Sequence, residues 1–376
     1  MMKQCYLGKK GYTIFKSELN KEEEQKILKD LTVKPFIPKS IIPATKFPVY
    51  RESTKKYYVP RFYGIEKYGN PKRVEISTGD KININFKGKL RDYQDNIVDK
   101  YVKYVDEIGG GLLEIDTGLG KTVIALNILT KIKVKALIIV HKEFLMNQWI
   151  ERIEQFIPEA RVGKIQGSKI DIEDKDIVIG MLQSISMKDY DTDVFNSFGI
   201  TVIDEVHHMG AEVFSQALYK VVTRYMLGLS ATMDRKDGLT PVFKMFIGPI
   251  VHTEKRKQEN NNVIVRRIDY KVDDEEFNEV KHNFRGDVCY SSMIGKLCTY
   301  NRRSEFIIKL IKSLFKENKN QQILILGHNK NLLTYLYDSL THHKVETVGY
   351  YLGGMKQEHL KMSEEKKIII ATYQMA

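Results

Sequence analysis

The segment Asp116-Thr117-Gly118-Leu119-Gly120-Lys121-Thr122 constrains this chain more than any other. It follows the short apolar run Gly111–Ile115 and opens a helical pattern from Lys121 to about Lys131. A buried strand, a glycine-rich turn and a helix start are what a phosphate-binding loop requires. Glycines let backbone N–H groups wrap an anion, and the helix N-terminus adds its dipole. Lys121 then reaches the outer phosphates, and the Thr122 hydroxyl can ligate Mg²⁺. The full pattern begins with a glycine five residues before Gly120, where this chain has Ile115. Alone, Gly-x-Gly-Lys-Thr is also compatible with an ordinary turn.

A second element lies 83 residues beyond Lys121, where the apolar run Ile200-Thr201-Val202-Ile203 ends in Asp204-Glu205-Val206-His207. A hydrophobic strand delivering an acid at its carboxyl end supplies the partner that a phosphate-bound Mg²⁺ needs. In this reading Asp204 holds the metal through water, and Glu205 orients and deprotonates the attacking water. The bland alternative is an acidic cap on a strand. A third element, Ser230-Ala231-Thr232, closes the run Met226-Leu227-Gly228-Leu229. Small hydroxyl residues beside a nucleotide site relay its state by hydrogen bonds, although the tripeptide alone carries no information.

These elements sit in a regular texture. From Leu90 onward, short apolar runs alternate with helical patterns: Ala136–Val140, Glu143–Phe156, Ile177–Gly180, Ile200–Asp204 and Met226–Ser230. Such alternation predicts a parallel sheet covered by helices. The all-polar stretch 254–262 reads as a hinge or surface loop, its Lys255-Arg256-Lys257 solvated. The texture then resumes, with strands expected at Val263–Tyr270, Gln322–Gly327, Lys344–Gly349 and Lys367–Thr372. Helices are expected at Asn301–Phe315 and Lys330–Leu340.

Residues 1–88 read differently. One helix is expected over Ser17–Leu31, with Glu22-Glu23-Glu24 in its early turns, where the dipole favours acids. Prolines at 35, 38, 43, 48 and 60 then break the chain into short strands and turns. The first 90 residues hold 20 basic and 9 acidic side chains, against 40 and 39 in the remaining 286. Nearly all of the net charge of +12 is therefore in this quarter, interleaved with tyrosines and phenylalanines. That pattern suits a polyanion with stackable bases; it is also compatible with a small β-rich domain whose lysines are merely solvated.

Composition excludes several classes. No apolar run approaches the 18–20 residues of a membrane-spanning helix, and the N-terminus has no apolar signal region. Three cysteines build no disulfide framework, and no Cys-x-x-Cys pair suggests zinc. A reducing intracellular compartment is the expectation. Cys289 and Cys298 read as buried thiols, and Trp149 as a residue that packs a helix. Adjacent His207 and His208 point apart on a strand end and do not read as metal ligands.

The order of Asp116–Thr122, Asp204–His207 and Ser230–Thr232 resembles motifs I, II and III of superfamily 2 helicases of the DExH kind. Leu90-Arg91-Asp92-Tyr93-Gln94 resembles that family's adenine-reading glutamine motif. The segments from Val140 to Trp149 and from Gly180 to Ser184 resemble motifs Ia and Ib. In the second half, Ile323–Asn329 resembles motif IV and Ala371–Ala376 the start of motif V. The run from Gly228 to Gly238 is similar to the XPB-like branch and to helicases of large DNA viruses, among them the poxvirus transcript-release type.

The resemblance implies an α/β fold of two RecA-like lobes behind a small basic β-rich domain. The divisions are 1–88 for the nucleic-acid-binding domain, 89–253 for lobe 1, 254–262 for the hinge and 263–376 for a lobe 2 that stops within motif V. It implies ATP and Mg²⁺ as cofactors, with Gln94 at adenine and Thr117, Gly118, Gly120, Lys121 and Thr122 at phosphate. Thr122 and Asp204 would hold metal, with Lys121, Asp204 and Glu205 catalytic. His207, Ser230 and Thr232 would couple the nucleotide to DNA or RNA held by His141, Lys142, Gln183, Ser184 and Thr372. A DNA helicase or translocase of viral transcription or repair is expected, monomeric and attached to no membrane, with a transcription complex as its candidate protein partner. Its place would be a cytoplasmic viral factory or virion, or a nucleus. The family's arginine-bearing motif VI has no counterpart after Lys330. This leaves open a nucleotide-gated clamp with negligible turnover, and a phosphate-loop ATPase acting on something other than nucleic acid.

Overall fold

The structure is a computed structural model that describes residues 4–36, 44–191, 193–235, 237–256, 264–373 and 375. The chain divides into two compact units, residues 1–259 and 260–376.

The first unit is built on an eight-stranded sheet. Its strand order is Lys169–Ile170, Val162–Gln166, Ile177–Met181, Ala136–Val140, Ile200–Ile203, Tyr225–Ser230, Gly110–Ile115, Ile250–Glu254. Every neighbouring pair is parallel except the Val162–Gln166/Lys169–Ile170 hairpin. The apolar runs predict this burial on both faces, because alternate side chains point to opposite sides. Leu112, Leu137, Ile139, Val178 and Ile203 enter one core, with helices Leu182–Met187, Ala211–Leu218 and Thr240–Ile247. Leu113, Ile115, Ile138, Ile179 and Val202 enter the other, with helices Asp92–Ile108, Lys121–Ile132 and Glu143–Phe156. The expectation of an α/β fold on a parallel sheet is met.

A second sheet, of five short strands, covers part of the first face. Its order is Arg51–Glu52, Lys56–Val59, Gly11–Phe15, Cys5–Gly8, Arg73–Val74. Leu7, Tyr12, Ile14 and Val59 share one core with Phe214, Leu218, Tyr219 and Phe246. Arg61 reinforces the junction by donating to the carbonyls of Arg224 at 2.9 Å and Gly109 at 3.3 Å. Burial holds its guanidinium down at about 10. The Tyr219 hydroxyl donates to the carbonyl of Val49 at 2.9 Å. The division expected at residue 88 thus falls inside one compact unit.

Local differences have local causes. The helix expected over Ser17–Leu31 spans Lys21–Asp30, because the Asn20 side chain and Glu23 form a reciprocal cap. A second helix, Arg61–Tyr68, was not anticipated. Pro60 sits at its N-cap, where a missing N–H costs nothing, and Gly64 lets it lie against the Tyr12 ring, 2.2 Å from where a Cβ would be. The helix ends at Gly69, which takes a positive φ of 82°.

The second unit holds a three-stranded parallel sheet ordered Ile323–Gly327, Ile368–Thr372, Val348–Tyr351. Helices Asn301–Glu317 and Lys330–His342 give Ile308, Ile311, Phe315, Leu333, Leu336 and Leu340 to a core with Ile368 and Ile370. The third expected strand, Lys344–Gly349, begins only at Val348, after Lys344 turns out of the helix with a φ of 48°. The strand expected at Val263–Tyr270 is corrected: residues 264–270 form none, and Ile264 and Val265 are 77% and 88% exposed. Their apolar run has no described strand to pair with. Cys289 and Cys298 are half-buried rather than buried. Of the expected hinge, Glu254 ends a strand, and residues 257–262 lie outside the described residues. So do Gln374 and Ala376 of the motif V segment.

Candidate nucleotide and nucleic-acid site

In an open parallel sheet, ligands bind beyond the carboxyl ends of the strands. The candidate residues of the first unit gather there. The strand Gly110–Ile115 runs through Asp116–Gly120 into the helix that starts at Lys121. Gly118 and Gly120 take positive φ values of 84° and 86°, a conformation that glycine adopts at least cost. At Gly120 a Cβ would also lie 2.5 Å from the Gln94 amide nitrogen.

Lys121 Nζ lies 3.2 Å from Glu205 Oε1, with both side chains largely shielded from solvent. Glu205 itself adopts φ 49° and ψ 51°. A non-glycine residue in this left-handed region stores of order 1–3 kcal/mol of strain, which the surrounding structure must hold. The turn Val206–His208 and the His208 N–H bond to the Glu205 carbonyl, 2.9 Å, hold it here. The other carboxylate oxygen, Glu205 Oε2, is buried without a hydrogen-bond partner and lies 3.4 Å from His207 Nδ1.

Asp204 is buried behind this pair, and burial is the main cause that pushes its carboxyl up to about 6. Two donors oppose that shift: the Trp149 indole N–H at 2.8 Å to Oδ2 and the Glu205 N–H at 2.9 Å to Oδ1. Trp149 does pack its helix, being 1% exposed. Its hold on Asp204 across 55 residues has no sequence signal.

His207 Nδ1 is 2.6 Å from Ser230 Oγ, and that hydroxyl donates to the Thr232 carbonyl. A hydroxyl has one proton, so Nδ1–H is the donor to Ser230. His207 is held below its usual range, by burial first and by His208 second, which favours neutral imidazole. The Thr232 hydroxyl accepts from the Asp234 N–H at 3.2 Å. Arg235, absent from the expected set, joins both segments: it donates to the carbonyls of His207 and Met209 and pairs with Asp237.

Two further contacts were not anticipated. The Gln94 amide, expected to read adenine, receives the Arg91 N–H at 3.0 Å and donates to the Leu119 carbonyl at 3.0 Å. Tyr93 donates to the same carbonyl at 2.9 Å. Gln94 therefore braces the loop 116–120, with one amide hydrogen to spare. Lys255 and Arg256, read from sequence as solvated, reach the loop instead. The Arg256 guanidinium donates to the Thr117 carbonyl at 3.1 Å and its N–H to Asp116 at 3.0 Å. Lys255 bridges Glu114 at 3.2 Å and the Ala231 carbonyl at 3.4 Å. Charge in a polar loop does not reveal which carboxylate it meets.

Of the residues expected on nucleic acid, four lie together at neighbouring strand ends. Gln183 Nε2 is 3.5 Å from the His141 carbonyl, Ser184 Oγ accepts from the Gly167 N–H at 2.9 Å, and Lys142 lies over the ring of exposed Phe144. Thr372 ends the central strand of the second unit.

The chemistry of the donor set fits Mg²⁺ held jointly with a nucleotide. The set has a hydroxyl at Thr122, a buried carboxylate at Asp204 and the orphaned Glu205 Oε2. Among the described residues, no group of three or more His, Cys, Asp or Glu could hold a metal alone. Phosphate oxygens and water would supply the rest. No described helix is long and apolar enough to cross a membrane.

Several known proteins resemble this chain in sequence. A family profile described as "Type III restriction enzyme, res subunit" matches residues 87–235. The "Putative ATP-dependent RNA helicase L396" of Acanthamoeba polyphaga mimivirus is 36% identical over 377 residues, 97% of this chain and 72% of that one. The "Putative ATP-dependent RNA helicase QP509L" of African swine fever virus (isolate Pig/Kenya/KEN-50/1950) is 27% identical over 76% of this chain, which spans 59% of that relative's length. Among solved structures, the Sulfolobus solfataricus SWI2/SNF2 ATPase core in complex with dsDNA aligns at 16% identity over 79% of this chain and 80% of that one, with a TM-score of 0.38. At 36% identity over nearly all of its own length and 72% of the mimivirus protein's, the chain belongs to the viral helicase family that includes L396.

Proposed function

We propose that this chain is an ATP-driven translocase on nucleic acid: a DExH-type helicase of superfamily 2, similar to the XPB-like branch, acting on DNA in viral transcription or repair. The observation that carries this reading is the Lys121–Glu205 pair at 3.2 Å, one turn from a His207–Ser230 hydrogen bond of 2.6 Å. The first contact belongs to phosphate chemistry, the second to its transmission.

The residues divide the work. Loop N–H groups and Lys121 bind the triphosphate, which draws the Lys121 ammonium from Glu205 onto phosphate oxygens. Glu205 then has two free oxygens, and takes a proton from the water that attacks the γ-phosphorus. The new P–O bond forms as the bond to the ADP oxygen breaks, and the proton on Glu205 passes to solvent. Thr122 and Asp204 would hold Mg²⁺, which neutralises phosphate charge when bound. Trp149 keeps the Asp204 carboxylate in place. His207, bonded to Ser230, moves with Glu205 and carries its position to the Ser230–Thr232 segment. His141, Lys142, Gln183 and Ser184 offer polar contacts to a nucleic-acid backbone.

ATP hydrolysis with and without DNA or RNA, beside Glu205→Gln, tests the reading. We expect nucleic acid to stimulate turnover, and Glu205→Gln to lower it by about 10²–10⁴. ATP-dependent binding of nucleic acid without turnover in the native chain would make it a nucleotide-gated clamp. Turnover indifferent to nucleic acid, with no binding that falls steeply with salt, would move the substrate elsewhere.

A further inference from the structure

The outer face of the N-terminal sheet has no role in the nucleotide site. Strand register sets Arg73, Tyr6, Thr13 and Tyr58 in one row across four strands. Phe15 pairs with Lys56 in the row two residues on. Rows two residues apart share a face, so Tyr6, Phe15 and Tyr58 lie together on the side opposite Leu7, Tyr12, Ile14 and Val59 of the core. All three rings are half-buried, with the small Thr13 between Tyr6 and Tyr58.

Cations lie over these rings. Lys56 Nζ is 5.2 Å from the Tyr6 ring centre and 4.8 Å from that of Phe15, and it donates to Tyr6 Oη at 3.0 Å. Arg73 is 5.5 Å from the Tyr6 centre, and Lys10 Nζ 5.5 Å from that of Tyr58. Of the nearby acids, Glu52 pairs with Lys16 at 2.6 Å, and Glu75 pairs on this face with Arg73 at 3.3 Å, a partner that a phosphate would displace. Among the described residues, no ion pair engages Lys10 or Lys56. A merely solvated lysine face would extend its ammonium groups into water. Here they stay within reach of the Tyr6 and Phe15 rings, which lie outside the core, and of Tyr58 at its margin, on the part of the chain that carries a net charge of +11 in 90 residues.

We propose that this face is a platform for single-stranded nucleic acid, whose bases stack on Tyr6, Phe15 and Tyr58 while its phosphates meet Lys10, Lys56 and Arg73. The occupant is single-stranded because ring stacking needs an unpaired base, whereas a duplex offers these cations only phosphates. The proposal rests on the reading that the partner is nucleic acid, and it adds where and in what form the strand is held away from the nucleotide site.

The test measures binding of labelled single-stranded and duplex oligonucleotides to the full chain over a salt series. Tyr6→Ala with Tyr58→Ala is expected to weaken single-strand binding at least about tenfold, with little change in the salt slope. Lys10→Ala with Lys56→Ala is expected to flatten the slope by about 1.4, since each lost phosphate contact removes about 0.7. Tyr6→Phe with Tyr58→Phe keeps the rings and is expected to bind like the native chain, which separates stacking from a folding defect. ATP hydrolysis without nucleic acid is expected to be unchanged in all three. Aromatic variants that bind single strands as the native chain does would overturn the platform. So would an equal loss on duplex and single strand. If the native chain binds no nucleic acid at all, the underlying reading fails instead.

Discussion

The two units are built from the same parts and protected unequally. In the first, the strands Ala136–Val140 and Ile200–Ile203 are buried along their whole length, with helices on both faces. In the second, the strand Ile323–Gly327 shields every other residue only partly, leaving Leu324 and Leu326 52% and 36% exposed. Thr372 is the single candidate site residue in the second unit; the rest sit on the loops and helix starts that follow the strands of the first sheet. Geometry that must hold a carboxylate within tenths of an ångström is found where neighbours on both faces determine it.

The comparison can be sharpened by experiment. The largest effect is expected in hydrogen exchange. Amides of Ala136–Val140 should open only with global unfolding of their unit, and those of Ile323–Gly327 orders of magnitude faster. Equal protection would erase the contrast. Next, Ile138→Ala should cost about 2–5 kcal/mol in the unfolding of the first unit, while Leu324→Ala should stay within about 0.5 kcal/mol; chemical denaturation followed by circular dichroism measures both. Trp149→Phe should then lower ATP turnover about tenfold and raise the Mg²⁺ concentration that it needs, because it deletes one of two donors to Asp204.

A pH effect comes last. Asp176 accepts three bonds from Arg161, and these hold its carboxyl below the usual range despite burial, the largest opposing influence. A depressed acid contributes stability above its unfolded pKa and loses it as pH falls through the folded one. Asp176→Asn should therefore destabilise the first unit by about 1–3 kcal/mol at neutral pH, a difference that melting curves should show shrinking as pH falls below the usual carboxylate range.

Much of this was legible in the sequence because it is local. Loop spacing predicted a turn at Gly118 and Gly120 that opens a helix at Lys121, and the apolar run Ile200–Ile203 predicted the strand that precedes Asp204 and Glu205. The helix Glu143–Phe156 and the strand Ala136–Val140 were read to the residue. What escaped depends on contacts distant in sequence. Nothing in Trp149 names Asp204 as its partner, and nothing in Arg256 names Thr117. The apolar residues of the N-terminal strands required a core, but their pattern did not say that the core would be shared with Phe214 and Tyr219. At 264–268, a β-like apolar run stayed exposed because no described strand pairs with it.

The hydrogen bond between Trp149 and Asp204 has an optical consequence. The chain contains one tryptophan, its indole N–H donates to a buried carboxylate, and that carboxylate adjoins the Lys121–Glu205 pair. All indole emission from this protein therefore originates at one address, and no introduced dye is needed to watch it. A change of charge at Asp204 alters the field on the excited ring, so filling and emptying of the pocket should be readable as a shift in wavelength or yield, turnover by turnover, in the unlabelled chain.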